Sequence, residues 1–154
     1  MAIHTLQRTQ KLKTDIHTLW DFISSPKNLK EITPSEMSFE LLSDLPEKMY
    51  AGQIIQYKVK PLFGISLNWC TEITYVKELD YFVDEQRKGP YKLWHHQHHL
   101  KEIEGGVEMI DIVHYEAPFS FLGDIATPFI VEPKLKEIFD FRFEKLKALF
   151  GEII

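Results

Sequence analysis

Several features that mark whole classes of protein are scarce in this sequence of 154 residues. It has one cysteine, Cys70, which excludes an intramolecular disulfide and suits a reducing compartment. No apolar run approaches the roughly 20 residues that a membrane-spanning helix needs. The opening segment, MAIHTLQRTQKLKTD, lacks the apolar core of a secretory signal. We therefore expect a cytoplasmic protein with no membrane span.

An excess of positive charge is also absent, because 18 Lys and Arg residues stand against 23 Asp and Glu residues. The net charge of -5 leaves no electrostatic footprint for nucleic acid. The sequence has no Cys-x-x-Cys or His-Glu-x-x-His motif, and no nucleophile motif surrounds Ser120 or Cys70. We expect no nucleic-acid partner, no metal and no cofactor.

Apolar material is plentiful, and 44% apolar with 13% aromatic residues is enough for one domain spanning 1–154. Weak alternation predicts a strand over 3–11. Thr14 or Asp15 can cap a short helix over 16–23, and Pro26 can open a second short helix that Pro34 ends. Alternating runs separated by turn residues predict six more strands, over 37–43, 53–61, 65–77, 81–87, 92–103 and 107–117.

The period then changes from two residues to 3.6. From 134 to 150 the apolar residues form one stripe along a predicted helix, with charged residues opposite. A helix of this length would lie across the concave face of a curved antiparallel sheet of about seven strands. The expected fold class is α+β, with the sheet wrapped around the long C-terminal helix and two short helices after the first strand.

The two strands that meet at Gly105-Gly106 carry most of the histidines. A two-residue Gly-Gly turn would pair Leu100 with Asp111 and His98 with Val113. Alternation then directs one face of each strand towards the C-terminal helix. On this hairpin the predicted inward residues are Trp94, His96, His98, Leu100, Asp111, Val113 and Tyr115. On the two preceding strands they are Ile65, Leu67, Trp69, Thr71, Ile73, Tyr75, Phe82, Asp84 and Gln86.

Arg142 falls in the middle of the apolar stripe of the last helix, so its guanidinium should point towards the sheet. A buried guanidinium needs an anionic partner. We favour an internal ion pair with Asp84 or Asp111. The alternative is recognition of a carboxylate or phosphate on a ligand, which the planar guanidinium does well.

Two further interpretations concern the inward histidines. His96 and His98 could share a metal with Asp84 or Asp111, although no metal motif supports this. Either histidine beside Asp111 could instead act as a general acid or base, with Arg142 stabilising an enolate-like charge. We expect hydrogen-bonded pocket histidines rather than either of these. The apolar segment after Ala117 could gate the pocket through Phe119, Phe121 and Leu122.

The segments WDFISSPKNLKEITP, FVDEQRKGPYKLWHH and IFDFR resemble those of bacterial SRPBCC ligand-binding domains. These belong to the START-like, Bet v 1-like superfamily, and the resemblance in element order and length extends over essentially the whole chain. It implies a helix-grip fold with an internal cavity. The superfamily includes lipid carriers, hormone receptors, chaperone activators and aromatic cyclases, and fold alone does not decide among these.

Our leading hypothesis is a carrier or sensor that binds a small apolar or amphipathic molecule between the sheet and the last helix. One alternative is an enzyme of the polyketide cyclase/dehydratase kind that uses pocket His, Asp and Arg residues. A second is a protein-interaction module with a vestigial cavity. We expect binding rather than catalysis, and the oligomeric state stays open. The predicted ligand-binding residues are Tyr57, Trp69, Thr71, Asp84, Gln86, Trp94, His96, His98, Asp111, Tyr115 and Arg142.

Overall fold

A curved sheet of seven antiparallel strands encloses the C-terminal helix in the computed structural model, which describes residues 2–60, 64–118 and 127–154. The elements are β1 (His4–Leu12), α1 (Ile16–Ile23), β2 (Glu40–Leu41), β3 (Ile54–Val59), β4 (Leu67–Lys77), β5 (Tyr81–Lys88), β6 (Leu93–Ile103), β7 (Gly106–Glu116) and α2 (Glu132–Phe150). The strand order in the sheet is β1-β7-β6-β5-β4-β3-β2. The predicted fold class is confirmed.

Element boundaries differ from the predicted ones in three places. The second short helix is a 3-10 helix, Pro26–Lys30, and a further 3-10 turn covers Ser35–Met37. That turn takes up the start of the strand predicted over 37–43, of which only the two-residue β2 remains. A π-helical turn, Thr127–Val131, leads into α2, which begins two residues before the predicted position 134.

The first helix begins where the sequence predicts. Asp15 is the residue before α1, and its carboxylate accepts hydrogen bonds from the Thr18 backbone N–H at 2.9 Å and the Thr18 hydroxyl at 2.6 Å. These bonds satisfy a backbone donor that the first helical turn leaves unpaired. Ile16, Leu19 and Trp20 then face the interior. The helix therefore closes one end of the sheet.

The register of the β6–β7 hairpin is a correction to the prediction. Ile103 pairs with Gly106, so the loop contains Glu104 and Gly105 rather than the two glycines. Gly105 has a φ of 83°, which favours glycine. Gly106 lies within β7, where an added Cβ would meet the Leu12 carbonyl oxygen at 2.0 Å. Gly106 thus permits close approach of β1 and does not form the turn.

This correction shifts the pairing by two residues, so it leaves the inward face unchanged. His98 is opposite Asp111 and His96 is opposite Val113. Burial of the alternate residues along both strands confirms the predicted inward face. The correction changes which inward residues lie opposite one another: Asp111 is opposite His98 and not Leu100.

Alternation fails at both ends of β4. Ile65 precedes the strand and is 58% exposed, and Tyr75 is 44% exposed. The pairing of β4 with β5 is irregular between Ile73 and Tyr75, as in a β-bulge. A bulge reverses which side chains face inward, so Val76 packs against the core in place of Tyr75. The inward predictions for Ile65 and Tyr75 were therefore wrong.

The helix α2 lies against the inner face of the sheet through Leu135, Phe139 and Leu146, all buried. Backbone hydrogen bonds from Lys13 N–H to Gly151 O and from Ile153 N–H to Lys11 O hold the chain after α2 against β1. Within the described residues, no helix has the length and hydropathy to cross a bilayer.

Candidate functional site

A polar cluster of two histidines and two aspartates lies on the inner face of the sheet, within an otherwise apolar interior. The strand pairing explains its shape, because Asp84 on β5 is opposite His96 on β6, and His98 is opposite Asp111 on β7. His96 and His98 are two residues apart on one strand, so they share a face. The four side chains therefore form a compact square, which we call the His/Asp network.

Each imidazole in the network lies between both carboxylates. His96 Nε2 is 2.7 Å from Asp111 Oδ1, and His96 Nδ1 is 3.7 Å from Asp84 Oδ2. His98 Nε2 is 2.6 Å from Asp84 Oδ2, and its Nδ1 is 3.4 Å from Asp111 Oδ1. The two rings stack with centroids 3.6 Å apart. Three buried groups and the partly buried Asp84 are thus joined by two short hydrogen bonds, as buried polar groups require.

Burial and mutual contact both shift the ionisation of the network. Burial lowers the pKa of His96, and the neighbouring His98 adds to this effect. Burial alone would raise the pKa of Asp111, but the hydrogen bond and charge of His96, with the charge of Arg142, hold it at about 2. The pKa of Asp84 is lowered against its burial by the hydrogen bond with His98. Both carboxylates are therefore ionised at neutral pH.

Asp84, His96 and His98 are also the described residues that could together contact one metal ion, since their ligand atoms lie within 4.8 Å of one another. The ring geometry opposes this. A zinc ion would sit about 2.0–2.1 Å from each imidazole nitrogen, in the plane of each ring. The two rings are stacked at an interplanar angle of 29°, so their in-plane lone pairs do not converge on one point at that distance. The geometry suits hydrogen bonding better.

Arg142 on α2 is directed at the same face of the sheet. Its guanidinium carbon lies 4.9 Å from the centre of the Phe139 ring, and it is near enough to lower the pKa values of Asp84 and Asp111. Among the described residues, however, no carboxylate lies within 4.0 Å of it, and its buried Nε has no hydrogen-bond partner. The favoured internal ion pair with Asp84 or Asp111 was wrong, because the histidines already occupy those carboxylates.

An aromatic wall adjoins the His/Asp network. Trp69 is at its centre, stacked on Tyr57 at 5.8 Å between centroids and edge-on to Trp94 at 5.5 Å. Tyr91 contacts both indoles, at 5.7 Å and 4.9 Å, and Phe39 packs on Tyr57 at 5.0 Å. Within the described part of the chain, the buried Trp69 Nε1 has no hydrogen-bond partner. The wall is therefore made mostly of ring carbon and contains one unsatisfied buried donor.

Two small cavities lie between the sheet and the helices. The larger, about 120 Å³, is bounded by the aromatic wall, the His/Asp network, Arg142 and the α2 residues Leu135, Ile138 and Phe139. The smaller, about 70 Å³, lies towards α1 and the 3-10 helix after it, and Thr71 lines it. Leu29, Tyr57, Asp84 and His98 line both cavities. The two spaces are thus neighbours on either side of Tyr57 and His98.

Most predicted site residues line these two cavities, and three do not. Gln86 instead holds the turn after β5, donating to Tyr91 O at 2.6 Å and accepting from Tyr91 N–H at 3.1 Å. Tyr115 stacks on His4 with centroids 5.5 Å apart, and burial raises its pKa to about 12. Asp111 lies behind His96. The suggested gate residues Phe119, Phe121 and Leu122 lie outside the described residues.

Sequence reasoning missed several cavity residues. Tyr91 follows Gly89-Pro90, where strand alternation gives no direction to a side chain. The 3-10 helices supply Leu29 and Met37, and Phe39 follows the second of them; the irregular spacing of these residues gives no periodic signal. The only sequence feature that could have indicated a cavity residue here was an apolar side chain within a turn rich in Gly and Pro.

Comparison with known proteins supports the fold. No protein-family model matches the chain, and no curated protein matches it. Among solved structures, protein Ms6760 from Mycobacterium smegmatis is 15% identical with a TM-score of 0.68, covering 97% of this chain and 96% of that one. Major latex-like protein 151 from Panax ginseng is 14% identical with a TM-score of 0.69, covering 96% and 97%.

Protein CV1439 from Chromobacterium violaceum is 10% identical, with a TM-score of 0.73 over 97% of this chain and 99% of that one. Similarity at such low identity, over nearly the whole of both chains, shows a shared fold and no more. The chain therefore has the helix-grip, Bet v 1-like fold that the sequence resemblance implied.

Proposed function

We propose that this helix-grip protein binds a small, mainly apolar molecule between its sheet and α2, as a carrier or sensor. One observation carries the proposal. A cavity of about 120 Å³ is walled by aromatic rings and meets the partly buried guanidinium of Arg142 at its edge. Mainly apolar walls with a few convergent polar groups are characteristic of small-molecule sites.

The size of the cavity limits the molecule. Ligand pockets usually have volumes of about 300–1,000 Å³, and an apolar cavity of about 150 Å³ accommodates benzene. The larger cavity, at about 120 Å³, with the neighbouring space of about 70 Å³, therefore limits the molecule to about one ring and excludes a lipid. The same small size favours the protein-interaction module over a carrier of large amphipathic ligands, so that alternative remains a competitor.

The network geometry weighs against the enzyme alternative. A general acid or base needs a nitrogen within hydrogen-bond reach of the substrate. Both nitrogens of His96, and both of His98, lie 2.6–3.7 Å from carboxylate oxygens. The Nε2 of each imidazole is therefore held by a carboxylate in a short hydrogen bond, and each Nδ1 lies 3.4–3.7 Å from an oxygen of the second carboxylate. We therefore place binding ahead of cyclase or dehydratase chemistry.

Native mass spectrometry of protein purified from its own host tests the proposal. We expect a retained small molecule on the wild-type chain and its loss from Ile138→Phe, which would fill the larger cavity from α2. Phe141→Leu is the matched control, because Phe141 is exposed on the same helix and lines neither inner cavity. Repeated preparations of wild type without any bound molecule, or equal retention by Ile138→Phe, would refute binding in this cavity.

A further inference from the structure

We propose that the molecule held in the larger cavity is a single-ring compound whose polar group accepts hydrogen bonds and donates none. A carboxylate or a carbonyl has this chemistry. The inference rests on the proposed function and specifies its ligand class. It assigns the polar group to Arg142 Nε and Trp69 Nε1, and the ring to the aromatic wall.

Two buried donors without partners carry the inference. Three buried side-chain nitrogen or oxygen atoms lack a hydrogen-bond partner among the described residues, and two of them, Arg142 Nε and Trp69 Nε1, belong to residues that line the larger cavity. The third, His4 Nε2, lies on β1 outside that cavity. Buried donors are almost always satisfied in folded proteins, so two in one small space indicate a missing acceptor.

Acceptors in and beside the cavity already have partners within the protein. Asp84 Oδ2 lies 2.6 Å from His98 Nε2, and Asp111 Oδ1 lies 2.7 Å from His96 Nε2. The Tyr57 hydroxyl contacts the Thr71 hydroxyl at 3.4 Å. Among the buried side-chain atoms of the described residues that line the cavity, donors lack a partner and no acceptor does. A ligand that brings an acceptor satisfies two donors that the protein leaves unpaired.

Charge and shape narrow the class further. A protonated amine would place a second cation beside the Arg142 guanidinium, which is unfavourable at short range. A carboxylate or carbonyl matches the planar donor edge of arginine. The rings of Tyr57, Trp69, Tyr91 and Trp94 offer both faces and edges to one aromatic ring, as aromatic pairs prefer. The cavity volume, the unpaired donors and the aromatic walls thus all favour a one-ring compound with a carboxylate or a carbonyl.

Four one-ring probes separate the contributions on the full wild-type chain. We expect benzoate and acetophenone, which carry acceptors, to bind at least about tenfold more tightly than toluene, which has none, in ligand-observed NMR titrations. Benzylamine, which is a donor only, should bind no more tightly than toluene. A stronger response to benzoate than to acetophenone assigns a carboxylate, and the reverse assigns a carbonyl.

Matched variants locate the two donors. Trp69→Phe keeps a ring but removes Nε1–H, and we expect it to weaken the tighter of the two acceptor probes about two- to tenfold. Trp20→Phe is the control, because it makes the same change in a buried indole that lines neither cavity and whose nitrogen is not among the unpaired buried atoms. Arg142→Lys keeps the charge, removes Nε and should cost about tenfold or more. Circular dichroism checks that each variant is folded.

The outcomes distinguish this inference from the proposed function. Equal affinity for all four probes, or tightest binding of benzylamine, overturns the acceptor class while leaving a binding cavity. Absence of binding by every probe also overturns it, and the native mass spectra then decide on the cavity itself.

Discussion

The two ends of the space between the sheet and α2 contain different kinds of side chain, although the same strand and helix line both. Along β6 the inward residues change from Leu100 through His98 and His96 to Trp94. Along α2 they change in parallel from Leu146 through Arg142 to Ile138 and Leu135. One end is aliphatic, the middle is polar and the far end is aromatic. We call the first the packed end and the last the hollow end.

Branched side chains interlock at the packed end, between α1, β1, β7 and the C-terminal part of α2. Leu12, Leu19, Val107 and Leu146 are each at most 1% exposed and belong to one contiguous cluster with α1. Protein interiors of this kind reach the density of organic crystals. The hollow end is built from rigid rings that meet at edges and tilted faces, 4.9–5.8 Å between centroids. The same strand and helix thus support a close-packed region that stabilises the fold and a loosely packed region that could bind a ligand. The shapes of the side chains account for the difference.

Disrupting the His/Asp network, which lies between the two ends, should have the largest effect on stability. Asp111→Ala leaves the buried His96 Nε2 without its carboxylate, which is 2.7 Å away. Removing one partner of a buried pair costs about 3–5 kcal/mol. We expect a loss of this size in the free energy of unfolding, measured by urea denaturation at pH 7.

An exposed ion pair provides the control for that experiment. Lys134 Nζ lies 3.2 Å from Glu137 Oε1 on the surface of α2. Such pairs contribute about 0.2–1 kcal/mol, so Glu137→Gln should stay within that range. A loss for Asp111→Ala no larger than that of Glu137→Gln would mean that the network contributes nothing to stability.

Alanine substitutions at two positions of α2 compare the two ends directly. Leu146→Ala removes a side chain that is 1% exposed from the packed end, and we expect a loss of about 2–5 kcal/mol. Ile138→Ala acts beside a cavity that already exists, so fewer contacts are lost and about 1 kcal/mol is expected. Both are measured by urea denaturation. Equal losses would show that the hollow end is packed as firmly as the other.

The comparison also shows what the sequence could predict. Period-two and period-3.6 patterns fixed the strands, α2 and the inward face, since burial of one face constrains every second residue. Trp94, His96 and His98 were placed correctly for this reason. The hairpin register was not, because the Gly105-Gly106 turn suggested a glycine pair in the loop. Gly106 is needed where β1 approaches closely, which is a tertiary requirement.

The sequence predicted which polar residues lie on the inner face of the sheet, but it did not predict which of them contact one another. The pattern placed Asp84, Asp111 and Arg142 on the inner face and suggested that they bind one another. The actual pairing depends on distances that the pattern does not contain, and the histidines are the nearer partners. The size of the cavity was equally beyond reach, since it depends on how Tyr91 and the 3-10 helices pack.

Acidification should weaken the His/Asp network by less than the substitution Asp111→Ala does. The folded pKa of Asp111 is about 2 against an ordinary 3.8, so the unfolded chain binds its proton more readily as the pH falls through that interval. Stability from this group is present above about pH 4 and is lost towards pH 2, by about 2 kcal/mol. Asp111→Asn should flatten this part of the pH profile.

His96 determines the profile at higher pH. Its pKa is lowered from 6.5 by burial, so the unfolded state takes up a proton first and stability should already decline below about pH 6.5. Urea midpoints at pH 7.5, 6.5, 5.5 and 4 measure this decline. Stability that instead rises from pH 7.5 to 5.5 would mean that the folded network attracts a proton. The polar middle would then be a charged lattice of imidazolium and carboxylate, and the hollow end beside it would be a poorer site for a neutral ring.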